Sequence, residues 1–346
     1  MRAVFAIPGD PDRRSGGFLY ERALLRALNE SGREVAYLRL PAGFPDPDPA
    51  ETVEAAGLLA AVPEGVPVIL DGLVHGAIET EALARMRAPL VAMTHHPLAL
   101  ETGLPPARAA LLRARERANL ALAAHVLVPS PHTARLLVEE YGVPAARITV
   151  ALPGFPPADP VRAPVQPPLI LSVGILVPRK GHDVLLEALA RIRDLDWQAR
   201  IVGAPWFAET AAALQAQRTD LGLEARVAFT GELGEADLRA LFRQATLFAL
   251  ATRHEGYGMV FPEALLNGLP IVACATGAVP DTVPADAGLL VPPDDPAAFA
   301  AALRRLLEEA PTRQRLAEAA TRAGGALPRW ADTAAIAGAV LDRLAR

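Results

Sequence analysis

The sequence predicts an α/β protein made of two doubly wound, parallel-sheet domains. Three observations carry this. Short, wholly apolar runs recur along the chain; segments with helical spacing of apolar residues separate them; one proline-dense stretch divides the series in two. A length of 346 residues suits about two domains of ordinary size.

In the first half the apolar runs at 4–7, 35–40, 67–70, 90–93 and 126–128 read as strands. Residues 18–30 and 106–124 repeat apolar side chains every three or four positions and read as helices. Then comes ALPGFPPADPVRAPVQPP, residues 151–168, where proline after proline rules out a helix or a central strand. The expected division is a first domain at 1–154, a linker at 155–168, a second domain at 169–329 and a final helix at 330–346. Strands are expected in the second domain at 169–173, 199–202, 226–229, 246–249 and 271–273. Helices are expected at 181–193, 207–221, 235–244, 262–267 and 296–309. No internal repeat is detectable. Two such domains leave a cleft, and ligands of these sheets bind outside the carboxyl ends of the strands.

Composition narrows the function. Hydrophobic residues make up 51% and charged residues 21%, a globular balance. A net charge of −5 argues against nucleic acid as a partner. The single cysteine, Cys274, cannot form an internal disulfide. The opening MRAVFAIPGD reads as a strand and turn, not a signal peptide, and no apolar stretch reaches the ~20 residues of a membrane span. The expectation is a soluble, cytoplasmic protein.

Two stretches could carry chemistry. In RHEGYGMVFPEALLNGLP, residues 253–270, Gly256, Gly258 and Pro262 forbid a continuous helix from Glu255 to Glu263. Pro262 suits the first position of a short helix and Gly268 its end, so Glu263 falls in the first turn. There it either offsets the helix dipole or meets a ligand. Glu255 reads as a solvated loop residue or as an acid flanked by glycines that let a ligand approach.

The second stretch is LVPRKGHDVLLEAL, residues 176–189. Lys180 is the only lysine of the chain; every other basic residue except histidine is arginine. A surface charge would tolerate arginine here as elsewhere. A retained lysine next to Arg179, after the strand that Gly174 closes, suggests a compact cation facing phosphate at a strand's carboxyl end.

VGILVPRKG together with HEGYGMVFPEALLNGLPIVACATGAVPD resembles the donor-binding half of the retaining nucleotide-sugar glycosyltransferases of family 4. SGGFLYERALLRAL (15–28), PSPHTARLLVEEYGVPAARITVALPG (129–154) and the final helix from Trp330 extend the resemblance over nearly the whole chain. It implies the GT-B fold: two Rossmann-like domains facing across a cleft, with the C-terminal helix crossing back to the first domain.

The resemblance also implies roles. Arg179 and Lys180 would hold the donor diphosphate and Glu263 the ribose hydroxyls. Glu255, with the amides of Gly256, Tyr257, Gly258, Met259 and Val260, would orient the donor sugar. Gly16 and Gly17 would bring amides against phosphate or sugar. His95, in MTHHP, matches the active-site histidine near the sugar, with His96 the lesser candidate. Gly174, Gly203 and residues 229–233 would border the nucleotide. Asp281 replaces a glutamate common in the family, and ALPGF lacks its usual asparagine and aspartate.

The implied reaction is metal-independent, retaining transfer of a hexosyl group from a nucleoside-diphosphate sugar, UDP foremost, with no cofactor. The acceptor is not identified; a small molecule is favoured over a lipid or polysaccharide at a membrane. The Asp-x-Asp pair Asp46 and Asp48, in a proline-dense loop, reads as a rigid surface turn, not a metal site. Residues 106–119 carry Arg108, Arg113, Arg115 and Arg117. They read first as a solvated face, with weak peripheral membrane contact as the alternative. His75 reads as a packed histidine with an acceptor-site role as the alternative. A two-domain nicotinamide oxidoreductase is disfavoured because no Gly-x-Gly-x-x-Gly follows a strand. A catalytically silent sugar-nucleotide-binding protein is disfavoured by the intact Arg179, Lys180, Glu255 and Glu263.

Overall fold

The computed structural model describes residues 2–10, 15–158 and 161–345. The chain divides into two compact units, 1–154 with 328–346 and 155–327.

The first unit holds strands β1 (Arg2–Pro8), β2 (Glu34–Leu40), β3 (Val68–Asp71), β4 (Leu90–Met93), β5 (His125–Val128) and β6 (Ile148–Val150). All pair in parallel, in the order β2-β1-β3-β4-β5-β6. Neighbouring side chains on a strand point to opposite faces, and on the inner strands β3, β4 and β5 both faces are dry. Val68 and Leu70 of β3 join one apolar core; Ile69 between them joins the other. That is why these strands read as unbroken apolar runs.

Helices α1 (Gly16–Glu30), α2 (Pro49–Ala60), α3 (Gly72–His75), α4 (Thr80–Leu83), α5 (Pro106–Leu122) and α6 (Pro131–Tyr141) cover the sheet. The second unit contributes β7 (Leu169–Val173), β8 (Gln198–Val202), β9 (Val227–Gly231), β10 (Leu247–Leu250), β11 (Ile271–Cys274) and β12 (Gly288–Val291). Its sheet is again parallel, in the order β12-β11-β10-β7-β8-β9. Its helices are α7 (His182–Ala190), α8 (Ala208–Asp220), α9 (Glu235–Gln244), α10 (Val260–Leu266), α11 (Val279–Thr282), α12 (Pro296–Glu308) and α13 (Ala310–Gly325). The chain then returns to the first unit as α14 (Trp330–Leu344).

α14 packs Ala334, Ala337, Val340 and Leu341 into the core that also holds Phe18, Tyr20, Leu24 and Leu28 of α1. Arg33 pairs with Asp342 at 2.8 Å, and Thr333 Oγ1 donates to the carbonyl of Leu152 at 2.7 Å. Gly154 lies so close to α14 that a Cβ on it would stand 2.1 Å from the Trp330 nitrogen.

The proline-dense stretch does not hang free of the second unit. Val165 N donates to Gln244 O, and Arg162 donates to the carbonyls of Ala245, Thr246 and Gly268.

Several expectations need correction. The surface turn expected at Asp46 is present, its amide donating to the Gly43 carbonyl at 2.8 Å, but it runs straight on into a helix that was not expected. Asp48 caps α2 in a reciprocal capping box with Glu51, and Asp46 pairs with Arg108. The proline density conceals a helix because Pro49 occupies its first position, where no amide is required. Gly16 and Gly17 open α1 and do not precede it in a loop. α10 starts at Val260, two residues before Pro262, whose missing amide costs nothing within the first turn. Gly268 follows its cap with φ of +60°, as a helix-ending glycine should.

Candidate functional site

In the second sheet the strand order reverses direction between β7 and β10, which are neighbours. Chains leaving these two strands at their carboxyl ends diverge, and this switch point is where such sheets form a ligand crevice. Lys180 follows β7 and Glu255 follows β10. Their side chains meet at 2.7 Å, from Lys180 Nζ to Glu255 Oε1.

Arg179 adds a second cation 3.6 Å from Glu255 Oε2 and donates to the carbonyl of His254 at 3.0 Å. Thr252 Oγ1 lies 3.0 Å from Glu255 Oε1. Glu255 is buried, not solvated. Burial alone would raise its carboxyl; the charges of Lys180 and Arg179, with the bonds from Lys180 and Thr252, win and hold it below the usual range.

Glycine lets the backbone reach this geometry. Gly181 has φ of +62°, and a Cβ there would lie 1.9 Å from the carbonyl oxygen of Ala251. Gly203 would put a Cβ 1.9 Å from the Gly174 oxygen, and a side chain on Gly174 would press on the methylenes of Lys180. Gly203 and Gly174 thus keep the ends of β8 and β7 together around the lysine stem.

The loop 253–259 is pinned from the segment after β11. Ala278 N donates to Glu255 O, Thr276 Oγ1 to Arg253 O, and Thr282 Oγ1 to Tyr257 O. Asp281 lies in α11, within that brace. Gly256, Tyr257, Gly258 and Met259 lead straight into α10, whose first amides receive no side-chain cap. Tyr257 stacks on Phe155 at 6.5 Å. Glu263 is half-buried, and no cation pairs with it among the described residues. Burial pushes its carboxyl up to about 7.

Four residues of this site escaped the sequence reading. Arg253 donates to both oxygens of Asp183 and also pairs with Asp294 at 2.7 Å, tying β10's loop to α7. His182 is buried with Nε2 3.2 Å from the Gly174 oxygen, and burial pushes it down to about 4. The position of Arg253 beside the glutamate motif was the available signal; Asp183, Asp294 and His182 gave none.

In the first unit His95 follows β4. Its Nε2 lies 3.3 Å from Glu21 Oε1 on α1. The Tyr20 ring meets it edge-on at 5.2 Å, and a Cβ on Gly17 would stand 3.2 Å from its ring. Asp71, at the end of β3, completes a group of three. Glu21, Asp71 and His95 each place a ligand-capable atom within 4.8 Å of the others, which makes them the residues able to hold a metal among those described. Glu21 and Asp71 were not singled out from the sequence, being 50 residues apart in it.

Other candidates lie elsewhere. His96 pairs with Glu101 at 3.3 Å. His75 is fully buried against Thr94, as a packed histidine would be. Arg113 pairs with Glu140, and Arg115 donates to the carbonyl of Ala77, so these arginines serve the fold. No described helix is long and apolar enough to cross a membrane.

Two family models match. "Glycosyl transferases group 1" covers residues 159–323, and "Glycosyltransferase Family 4" covers 70–159. The chain belongs to the family 4, group 1 glycosyltransferases. A family member, D-inositol 3-phosphate glycosyltransferase of Thermomonospora curvata, is 34% identical over 55% of this chain and 50% of its own length. Mannosylfructose-phosphate synthase of Agrobacterium fabrum is 30% identical over 44% of this chain and 38% of its own. The match thus spans about half the length of these curated relatives or less.

Solved structures share the fold more fully. Sucrose-phosphate synthase of Thermosynechococcus elongatus superposes with a TM-score of 0.80 at 22% identity, covering 99% of both chains. HepE of Anabaena, solved with UDP-glucose, gives 0.78 at 18% identity over 99% of this chain and 100% of its own. The two parallel sheets and the returning helix are those of the GT-B fold.

Proposed function

We propose that this protein is a retaining glycosyltransferase that moves a hexosyl group from a UDP-sugar to a small, polar acceptor without a metal. One observation carries the reading: Lys180 and Arg179 converge with Glu255 at the carboxyl ends of the two strands that flank the switch point. As the bond from the anomeric carbon to the phosphate oxygen breaks, its electron pair leaves with the diphosphate. Preorganised cations stabilise that developing charge.

In the resting site the Lys180 ammonium is already balanced by Glu255. An arriving diphosphate competes for the ammonium, while Glu255, still held by Thr252 and Arg179, is released to accept from a sugar hydroxyl. Glu263, half-buried and with no cation paired to it among the described residues, accepts from the ribose hydroxyls. His95 meets the donor sugar.

The names of relatives support the acceptor class, since one acts on inositol 3-phosphate and another forms mannosylfructose phosphate. HepE, solved with UDP-glucose, supports the choice of base. Calorimetric titration with UDP, GDP and ADP, repeated on Lys180→Ala, tests the reading. UDP should bind, and the variant should lose at least ~100-fold in turnover of the donor sugar. No binding of any of the three would overturn it.

A further inference from the structure

The second unit leaves two aromatic rings in water. Among its described residues the exposed large apolar side chains are Val161, Trp206 and Phe207, the last two 44% and 51% exposed. Trp206 and Phe207 are adjacent in the turn between β8 and α8. A single exposed apolar residue is ordinary; two neighbouring rings at a strand's carboxyl end call for an occupant.

The fold narrows what that occupant is. β7 and β8 each end one residue before a glycine, Gly174 and Gly203, and β9 ends on a third, Gly231. A Cβ on Gly231 would meet nothing within 4 Å, so the space above that strand end is open. Three neighbouring strand ends thus present backbone without side chains, at the edge where such sheets take ligands. On the other side of the switch point the ground is filled, since Thr276, Ala278 and Thr282 bond to the loop that carries Glu255. With strands about 4.8 Å apart, the ends of β8 and β9 stand about 5 and 10 Å from that of β7. A nucleoside whose diphosphate rests on Lys180 and Arg179, just beyond β7, has its open ground there.

The turn that carries the rings is held in place. Gly203 N donates to Gly231 O at 3.0 Å, Leu176 N donates to Ala204 O at 2.9 Å, and Pro205 pairs in parallel with Leu176. Trp206 follows directly. The backbone of Phe207 is extended, with φ of −119° and ψ of 128°, which turns its ring to the side opposite its neighbour's. Only one of the two rings can therefore face the glycines, and Trp206 is the nearer to them along the chain.

We propose that the Trp206 indole stacks on the nucleobase of the bound donor and supplies part of its affinity. This rests on the transferase reading and adds to it a residue that holds the base. Stacking serves every base, so Trp206 contributes affinity and not base choice.

Calorimetry and tryptophan fluorescence of the full chain test this. Of the three tryptophans, Trp197 is buried and Trp330 packs against the first unit's core, so Trp206 is the exposed indole. UDP should quench the wild-type emission. In Trp206→Phe the quench should vanish while UDP affinity stays within about threefold, because a phenyl ring still stacks. Trp206→Ala should weaken UDP about tenfold or more, yet leave inorganic pyrophosphate, which has no base, within about twofold. Phe207→Ala should leave UDP within about twofold. The order of affinity among UDP, GDP and ADP should be the same in Trp206→Ala as in the wild type.

UDP bound equally well by the wild type and Trp206→Ala would overturn this inference and leave the transferase reading standing. No binding of UDP, GDP or ADP by the wild type would overturn both. An equal loss of UDP and pyrophosphate in Trp206→Ala would reduce the indole to packing and overturn the stacking role. So would a Trp206 emission shift on self-association of the chain or on anionic phospholipid vesicles, with UDP affinity indifferent to Trp206→Ala.

Discussion

Arg253 clasps Asp183 through two hydrogen bonds, each guanidinium nitrogen meeting a different carboxylate oxygen, at 3.0 and 2.7 Å. The same side chain donates to the carbonyl of Pro178 and to Asp294. It therefore holds the segment carrying Arg179 and Lys180 against the segment carrying Glu255. Lysine cannot make the paired bond. Arg253→Lys should cost about 1 kcal/mol, the pair being partly exposed, and lower the melting temperature by about 2–4 °C. Nucleotide affinity should fall alongside, and an unchanged affinity would mean that the clasp does not shape the cation site.

Glu263 supplies a pH dependence. Its carboxyl is pushed up to about 7, so a contact to ribose that requires the ionised form strengthens as pH rises through that value. Nucleotide affinity should increase by up to about tenfold from pH 6 to pH 8. Stability runs the other way: a carboxyl raised by folding favours the native state below the unfolded value of 4.5 and loses that benefit as pH climbs towards about 7. In Glu263→Gln both trends should flatten, as titration calorimetry and melting curves would reveal.

The lone lysine offers a chemical readout. Its side chain is only 11% exposed and is paired with Glu255. A lysine-selective reagent should therefore modify the terminal amine first and Lys180 slowly. Glu255→Gln should accelerate the second reaction, and UDP should suppress it, both measurable by mass spectrometry after digestion. Lys180 reacting as fast as the terminal amine in the wild type would contradict the pairing.

Two glycines separate close approach from backbone conformation. Gly203→Ala forces a methyl group onto the Gly174 oxygen and should cost about 2–3 kcal/mol, disturbing the Lys180 stem as well. Gly222 has φ of +62° with open space around it, so Gly222→Ala should cost only about 1 kcal/mol and leave nucleotide binding alone. Urea unfolding with parallel binding measurements distinguishes the two.

Much of the architecture could be read from residue order because strands buried on both faces must be apolar throughout. The strands that escaped notice were β6 and β12. The first is three half-buried residues at a sheet edge, and the second begins with glycine. α13 escaped for another reason. It packs through small residues, and Gly324 comes close enough that a Cβ would lie 2.4 Å from the Leu265 oxygen. Helices that pack by closeness leave little large-side-chain periodicity to detect.

The site was legible to the same extent. Lys180 and Glu255 belong to local motifs, so spacing revealed them, although not that they would hold one another. Glu21, Asp71 and His95 become neighbours only through the order of β1, β3 and β4, which no local pattern encodes.

The near contact of Gly154 with Trp330 has an evolutionary corollary. The chain's exit from the first unit and its re-entry stand side by side, so everything from 155 to 327 amounts to a cassette inserted at one point. A gene segment encoding a different sugar-nucleotide half could be exchanged there with only two junctions to repair. Conversely, splicing a short bridge across those junctions offers a route to the N-terminal half as a free-standing protein.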